Sequence, residues 1–129
     1  MKANLGCWFE IPVENMERAV KFYETVFNFK IDVHNFGGDL MGWFPFAKEP
    51  NSANAGGSLM YSPDNYKPST NGTLIYLSSQ TDNLKDELSR IEDAGGKVVI
   101  EKRLISEEIG YMGVFLDTEG NRIAVHSHN

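Results

Sequence analysis

The chain has one cysteine, Cys7, so no internal disulfide can staple it. A lone thiol suits a reducing compartment, and the cytoplasm is the expected location. No apolar run approaches the roughly 20 residues needed to span a bilayer. Met1-Lys2-Ala3-Asn4 leads toward a strand without the apolar stretch of a signal peptide. Basic residues are outnumbered, 12 Lys and Arg against 18 Asp and Glu, for a net charge of -6. With no Lys or Arg stripe, nucleic acid and membranes are not expected partners. Three catalytic signatures are also missing: Gly-x-Ser-x-Gly, a Gly-Lys-Ser/Thr phosphate loop and His-Glu-x-x-His. What is present is a 41% hydrophobic and 12% aromatic composition, which excludes disorder. Its 129 residues make one domain, 1–129, or two small modules sharing a core.

Periodicity divides the chain into two similar halves. In Gly6 to Val13, alternation puts Trp8 and Glu10 on one face of a strand and Phe9, Ile11 and Val13 on the other. By the same alternation Cys7 faces a helix layer as an inert thiol. A helix follows to Phe27, N-capped by Asn15, with Met16, Ala19, Val20, Tyr23 and Phe27 as its apolar stripe. Strands are expected over 29–33, 40–46 and 56–61, with a Gly37-Gly38-Asp39 turn and a polar loop over 48–54. Residues 62–71 hold Pro63, Pro68, Asp64, Asn65 and Asn71 and read as a connector. The order then repeats. A strand over 73–79 and a helix over 82–94, capped by Gly95-Gly96, lead to a strand over 97–104. A closing hairpin over 111–116 and 122–127 turns at Asp117-Thr118-Glu119-Gly120. Two β-α-β-β-β modules, 4–62 and 71–129, account for the chain, and the fold class is α+β.

With those elements placed, three stretches carry a resemblance. They are Phe9-Glu10-Ile11-Pro12-Val13 with Met16 to Tyr23; Asp82-Asn83-Leu84 leading into Ile91 to Gly96; and Phe115-Leu116-Asp117-Thr118-Glu119-Gly120-Asn121-Arg122-Ile123. In this order and spacing the chain resembles the vicinal-oxygen-chelate (VOC) superfamily. That superfamily holds glyoxalase I, extradiol dioxygenases, fosfomycin-resistance enzymes and bleomycin-resistance proteins. The resemblance implies a cup-shaped mixed sheet with helices on its convex side and a ligand site in the hollow. It also implies a homodimer, with the cup formed within one chain or across a swapped pair.

Metal-dependent members of that superfamily carry His, Glu or Gln ligands on the first and last strand of each module. Aligned on Phe22-Tyr23, those positions fall at Trp8, near Ser58, at Tyr76 or Leu74, and at Ala124. Indole, hydroxyl, phenol and methyl groups make no divalent-metal site, so no metal and no cofactor are expected. Glu10 and His126 lie two residues along from Trp8 and Ala124 on the same faces. Glu10 reads either as a base or counter-ion in the hollow, or as a solvated edge-strand carboxylate. His126 reads as a cup-facing donor or acid, or as a rim group. Trp8 and Tyr76 are the best candidates among many aromatics for a flat-walled pocket, the others serving the core. Gly56-Gly57 marks a close backbone approach or a bend.

Three readings follow. One is a metal-independent protein that binds a small aromatic or cationic molecule through Trp8, Glu10, Ser58, Tyr76, Ala124 and His126. A second is a glyoxalase-like lyase, isomerase or dioxygenase using Glu10 and His126 with a divergent metal site. The third is a dimeric interaction module whose cup is filled by its own side chains.

Overall fold

A computed structural model of the chain describes residues 2–47 and 54–129; most of the expected 48–54 loop lies outside the described residues. Ten elements run in two equivalent series. The first is β1 (Trp8–Pro12), α1 (Met16–Phe27), β2 (Asp32–Phe36), β3 (Asp39–Trp43) and β4 (Gly56–Tyr61). The second is β5 (Tyr76–Ser78), α2 (Lys85–Ile91), β6 (Lys97–Ser106), β7 (Gly110–Leu116) and β8 (Arg122–Ser127). Each series makes its own mixed four-stranded sheet, ordered β1-β4-β3-β2 and β5-β8-β7-β6, with the first and last strands parallel. The two-module α+β architecture expected from the sequence is therefore the one observed.

Local chemistry sets most boundaries. Asn15 is extended and its side-chain oxygen accepts from the Arg18 amide at 3.0 Å, an N-cap. Asn28 ends α1 in the left-handed region at φ 57°. The Ile31 amide then donates to the Glu24 carboxylate at 2.9 Å. That cap and bond carry the chain past Phe29, so β2 starts at Asp32 and not at Phe29 as the apolar run suggests. Phe29 turns inward to stack on Phe27 at 5.8 Å. The Gly37-Gly38 pair, at φ 67° and 102°, closes the β2–β3 hairpin with Phe36 opposite Asp39. α2 is shorter than the 82–94 pattern: it ends at Ile91, not at the expected Gly95-Gly96, and a turn then carries the chain through Gly95 (φ 105°), with the Gly96 amide donating to the Ile91 carbonyl.

One core joins the modules. Ile11, Leu59 and the inner side of α1 (Ala19, Phe22, Tyr23, Val26, Phe27) pack with Leu84, Leu88, Ile91, Phe115, Ile123 and Val125 of the second half. Phe22 and Val26 thus belong to the buried stripe beside the expected residues, whereas Val20 is only half-buried. The helices cover the Ile11–Leu59 side of the sheets and leave the Trp8–Glu10 side open. Cys7 departs from expectation. It precedes β1 and is exposed, because the alternation that would turn it inward begins only at Trp8.

Hydrogen bonds across the chain tie the modules together. Tyr23, fully buried, donates to Asp117 at 2.6 Å, and Asn121 Nδ2 donates to the Pro12 carbonyl at 2.7 Å. Glu119, from the β7–β8 turn, accepts from the Glu14 and Asn15 amides at 2.9 and 2.8 Å. The same carboxylate accepts from Arg18 Nε at 2.7 Å. A turn of the second module therefore caps the helix of the first.

Candidate functional site: the open faces and the seam between modules

Strand register assigns the open-face positions. In the first sheet, Glu10, Ser58, Trp43 and Asp32 stand in one row across the strands. Pro12, Met60, Met41 and His34 form the next. In the second sheet, Tyr76, Ala124, Val114 and Ile100 form one row, and Ser78, His126, Met112 and Arg103 another. Trp8 pairs with Gly56 just as Tyr76 pairs with Ala124. The counterpart of Ala124 in the first module is therefore Gly56. Ser58 lies one pair further along, opposite Glu10, a correction that needs the register and is invisible in spacing.

The register brings the six residues proposed from the sequence together as two groups of three, Trp8, Glu10 and Ser58 on the first sheet and Tyr76, Ala124 and His126 on the second. Glu10 is exposed and accepts a 2.5 Å hydrogen bond from the Tyr66 hydroxyl, which the connector brings back onto β1. Burial and the Glu10 carboxylate together raise the Tyr66 phenol above its ordinary value. Ser58 is fully buried and its Oγ has no hydrogen-bond partner among the described residues. Ala124 is buried in a small apolar cluster with Met112 and Val114, flanked by Leu74 and Ile100. Trp8 and Tyr76 are exposed, and the Trp8 ring lies 6.1 Å from Phe46. His126 Nε2 is 2.7 Å from the Ile109 carbonyl oxygen, with His128 edge-on at 5.1 Å. Among the described residues no hydrogen bond joins Glu10 to His126.

The aromatic content of the open face is greater than the sequence reading proposed. His34 packs on Trp43 at 4.3 Å between centroids, with Phe36 stacked at 6.5 Å from the indole. Period-two alternation along β2 and β3 is the signal for them, but the expected 29–33 strand starts three residues before β2.

On the resemblance noted from the sequence, and with Gly56 in place of Ser58 by register, the metal-ligand positions would be Trp8, Gly56, Tyr76 and Ala124. None carries an imidazole or a carboxylate, so this donor set does not fit a divalent cation. No group of three or more His, Cys, Asp or Glu side chains comes together among the described residues.

A cavity of about 1150 Å³ is lined by residues of both modules, Phe9, Gly56 and Tyr76 among them. Of the six residues only Tyr76 and His126 line it. Gly56 and Gly57 serve this region, since a Cβ on either would collide with the rings of Phe46 and Phe9 respectively.

Paired β-α-β-β-β modules with an open sheet face define a class, and comparison with known proteins agrees. The profile of the Glyoxalase/Bleomycin resistance protein/Dioxygenase superfamily matches residues 7–125, and the chain belongs to that family. None of the curated proteins compared matches it. Among solved structures, hypothetical protein SA1046 from S. aureus superposes with a TM-score of 0.66 at 19% identity, covering 96% of this chain and 94% of that one. The fosfomycin resistance protein FosX from Listeria monocytogenes gives 0.63 at 16%, covering 100% and 94%. A glyoxalase I mutant from Zea mays gives 0.67 at 15%, covering 95% of this chain and 46% of that one. At such identities the likeness is one of fold. No helix among the described residues is long and apolar enough to cross a membrane.

Proposed function

We propose that the chain is a metal-independent receptacle that binds a small aromatic or cationic molecule on its open face. One observation carries the reading: the four chelating positions hold indole, hydrogen, phenol and methyl groups. The groups that remain suit recognition of a cation. Trp43 and His34 offer a flat aromatic surface, with the Glu10 and Asp32 carboxylates in the same strand row as Trp43. The net charge of -6 favours cation approach. On this reading Glu10 is a counter-ion, Tyr66 orients it, and His126 is a rim group. The chain is one domain, with modules 4–62 and 71–129 joined by the 62–71 connector. A homodimer is supported by exposed Val99 and Leu104 on the edge strand β6, and a cytoplasmic location by the lone thiol.

Two measurements test it. Indole fluorescence titrated with benzyltrimethylammonium should show saturable quenching in wild type, weakened several-fold in Glu10→Gln. Elemental analysis after incubation with Zn, Ni and Mn and desalting should show no stoichiometric metal. A bound equivalent of metal would transfer the chain to the metalloenzyme reading.

A further inference from the structure

Among the asparagines of the chain only Asn71 is followed by glycine. The pair sits where the connector leaves the first module and approaches β5. Residues 69–73 are exposed and lie outside any helix or strand. Gly72 takes φ 112°, and a Cβ built on it would meet nothing within 4 Å. The Asn71 amide donates to Ser69 Oγ at 3.0 Å. Among the described residues no hydrogen bond engages the Asn71 side chain or the Gly72 amide. Asn15, Asn35, Asn83 and Asn121, by contrast, are held by side-chain hydrogen bonds to neighbouring groups.

These conditions favour one reaction. The side-chain amide of an asparagine is open to attack by the backbone nitrogen of the residue that follows. A following glycine has no Cβ to obstruct the approach and keeps the backbone freedom that ring closure needs. The Gly72 amide gives its proton to hydroxide and its nitrogen attacks Asn71 Cγ. The new N–Cγ bond forms, the Cγ–Nδ2 bond breaks, and Nδ2 takes up a proton and leaves as ammonia. Water then opens the resulting succinimide at either carbonyl. One opening leaves aspartate; the other leaves isoaspartate, with the backbone routed through the former side chain. Arg122 lines the same shallow recess as Asn71 and Gly72. Among the described residues it joins no ion pair, so its guanidinium is available to the carboxylate that forms.

We propose that Asn71-Gly72 is a site of spontaneous covalent modification, at which the folded protein passes to aspartate and isoaspartate forms. Either product adds one negative charge to the net charge of -6. Isoaspartate also lengthens the connector by one backbone methylene. The connector is pinned on both sides of the pair. The Ser69 amide donates to Asn121 Oδ1 at 3.3 Å, and the Ile75 carbonyl accepts from the Ala124 amide at 3.0 Å. The added length is therefore taken up between Ser69 and β5. The site is independent of any ligand on the open faces.

The test uses the purified full chain, kept folded for several days in mildly alkaline buffer beside a urea-unfolded sample. Isoelectric focusing should show a more acidic species accumulating in the folded sample, several-fold more slowly at neutral pH. Peptide mapping by mass spectrometry should place the replacement of NH by O at residue 71. An isoaspartyl methyltransferase with a labelled methyl donor should label the aged protein and not the fresh one. Asn71→Gln must close a larger ring and should show no acidic species over the same period. Its position is exposed, and circular dichroism checks that it folds; if it does not, the wild-type map decides alone. An unchanged residue 71 in the folded chain, whatever the unfolded sample does, would overturn the proposal. So would an acidic species that maps to another residue, or that accumulates at the wild-type rate in Asn71→Gln.

Discussion

Glu119→Gln should be among the most damaging single-atom changes to the fold, although its partner is a surface arginine. Five donors converge on the carboxylate: the Glu14 and Asn15 amides, Nε and Nη2 of Arg18, and the Thr118 hydroxyl. The Glu119 side chain is fully buried, whereas that of Arg18 is 50% exposed. A glutamine can keep the two backbone amides on its carbonyl oxygen. Its NH2 would then meet the Arg18 Nε–H, donor against donor. Hydrogen bonds to a charged group contribute about 1.5–3 kcal/mol each, but exposed ion pairs only about 0–1 kcal/mol. With Arg18 half in solvent, a loss of about 2 kcal/mol is expected. At about 4 °C per kcal/mol for a chain of this size, the melting temperature should fall by about 8 °C. Thermal melts by circular dichroism read this directly.

The pH dependence adds a sign. Burial pushes the Glu119 carboxyl up, but the bonds from Arg18, Asn15, Glu14 and Thr118 outweigh it and hold the pKa below the ordinary 4.5. A carboxylate lowered on folding stabilises fully above its unfolded value and ceases to do so as pH falls through its folded value. The gap between wild type and Glu119→Gln should therefore be constant near neutrality and shrink on acidification below about 4.5. A melting shift under about 2 °C, or a gap that grows in acid, would refute the reasoning.

Tyr23→Phe removes the donor to Asp117, whose pKa burial already raises, and should cost about 1.5–3 kcal/mol in urea unfolding. Ser58→Ala discards a buried hydroxyl with no hydrogen-bond partner among the described residues, so chemical denaturation should show no loss and a gain of up to about 1 kcal/mol. Asn28→Ala, at a left-handed position, should lower stability by about 1 kcal/mol, and Asn28→Gly should not.

Features written in a few consecutive residues were legible from the sequence. The Asn15 cap, the Gly37-Gly38 hairpin and the 117–120 turn each depend on backbone chemistry within one turn of chain. Alternation likewise sorted Trp8 and Glu10 from Phe9, Ile11 and Val13, because a strand's two faces are a local property. The expected strand start at Phe29 fails because Asn28 stops α1 in the left-handed region and Phe29 has a tertiary destination that hydrophobicity alone does not reveal. That Gly56 and not Ser58 answers to Ala124 depends on how β1 and β4 register, which no spacing within either strand specifies. That Glu119 grips the start of α1 depends on side chains about a hundred positions apart. Local preference orders the elements, whereas the hollows between them are made by surfaces that meet only once the two modules pack.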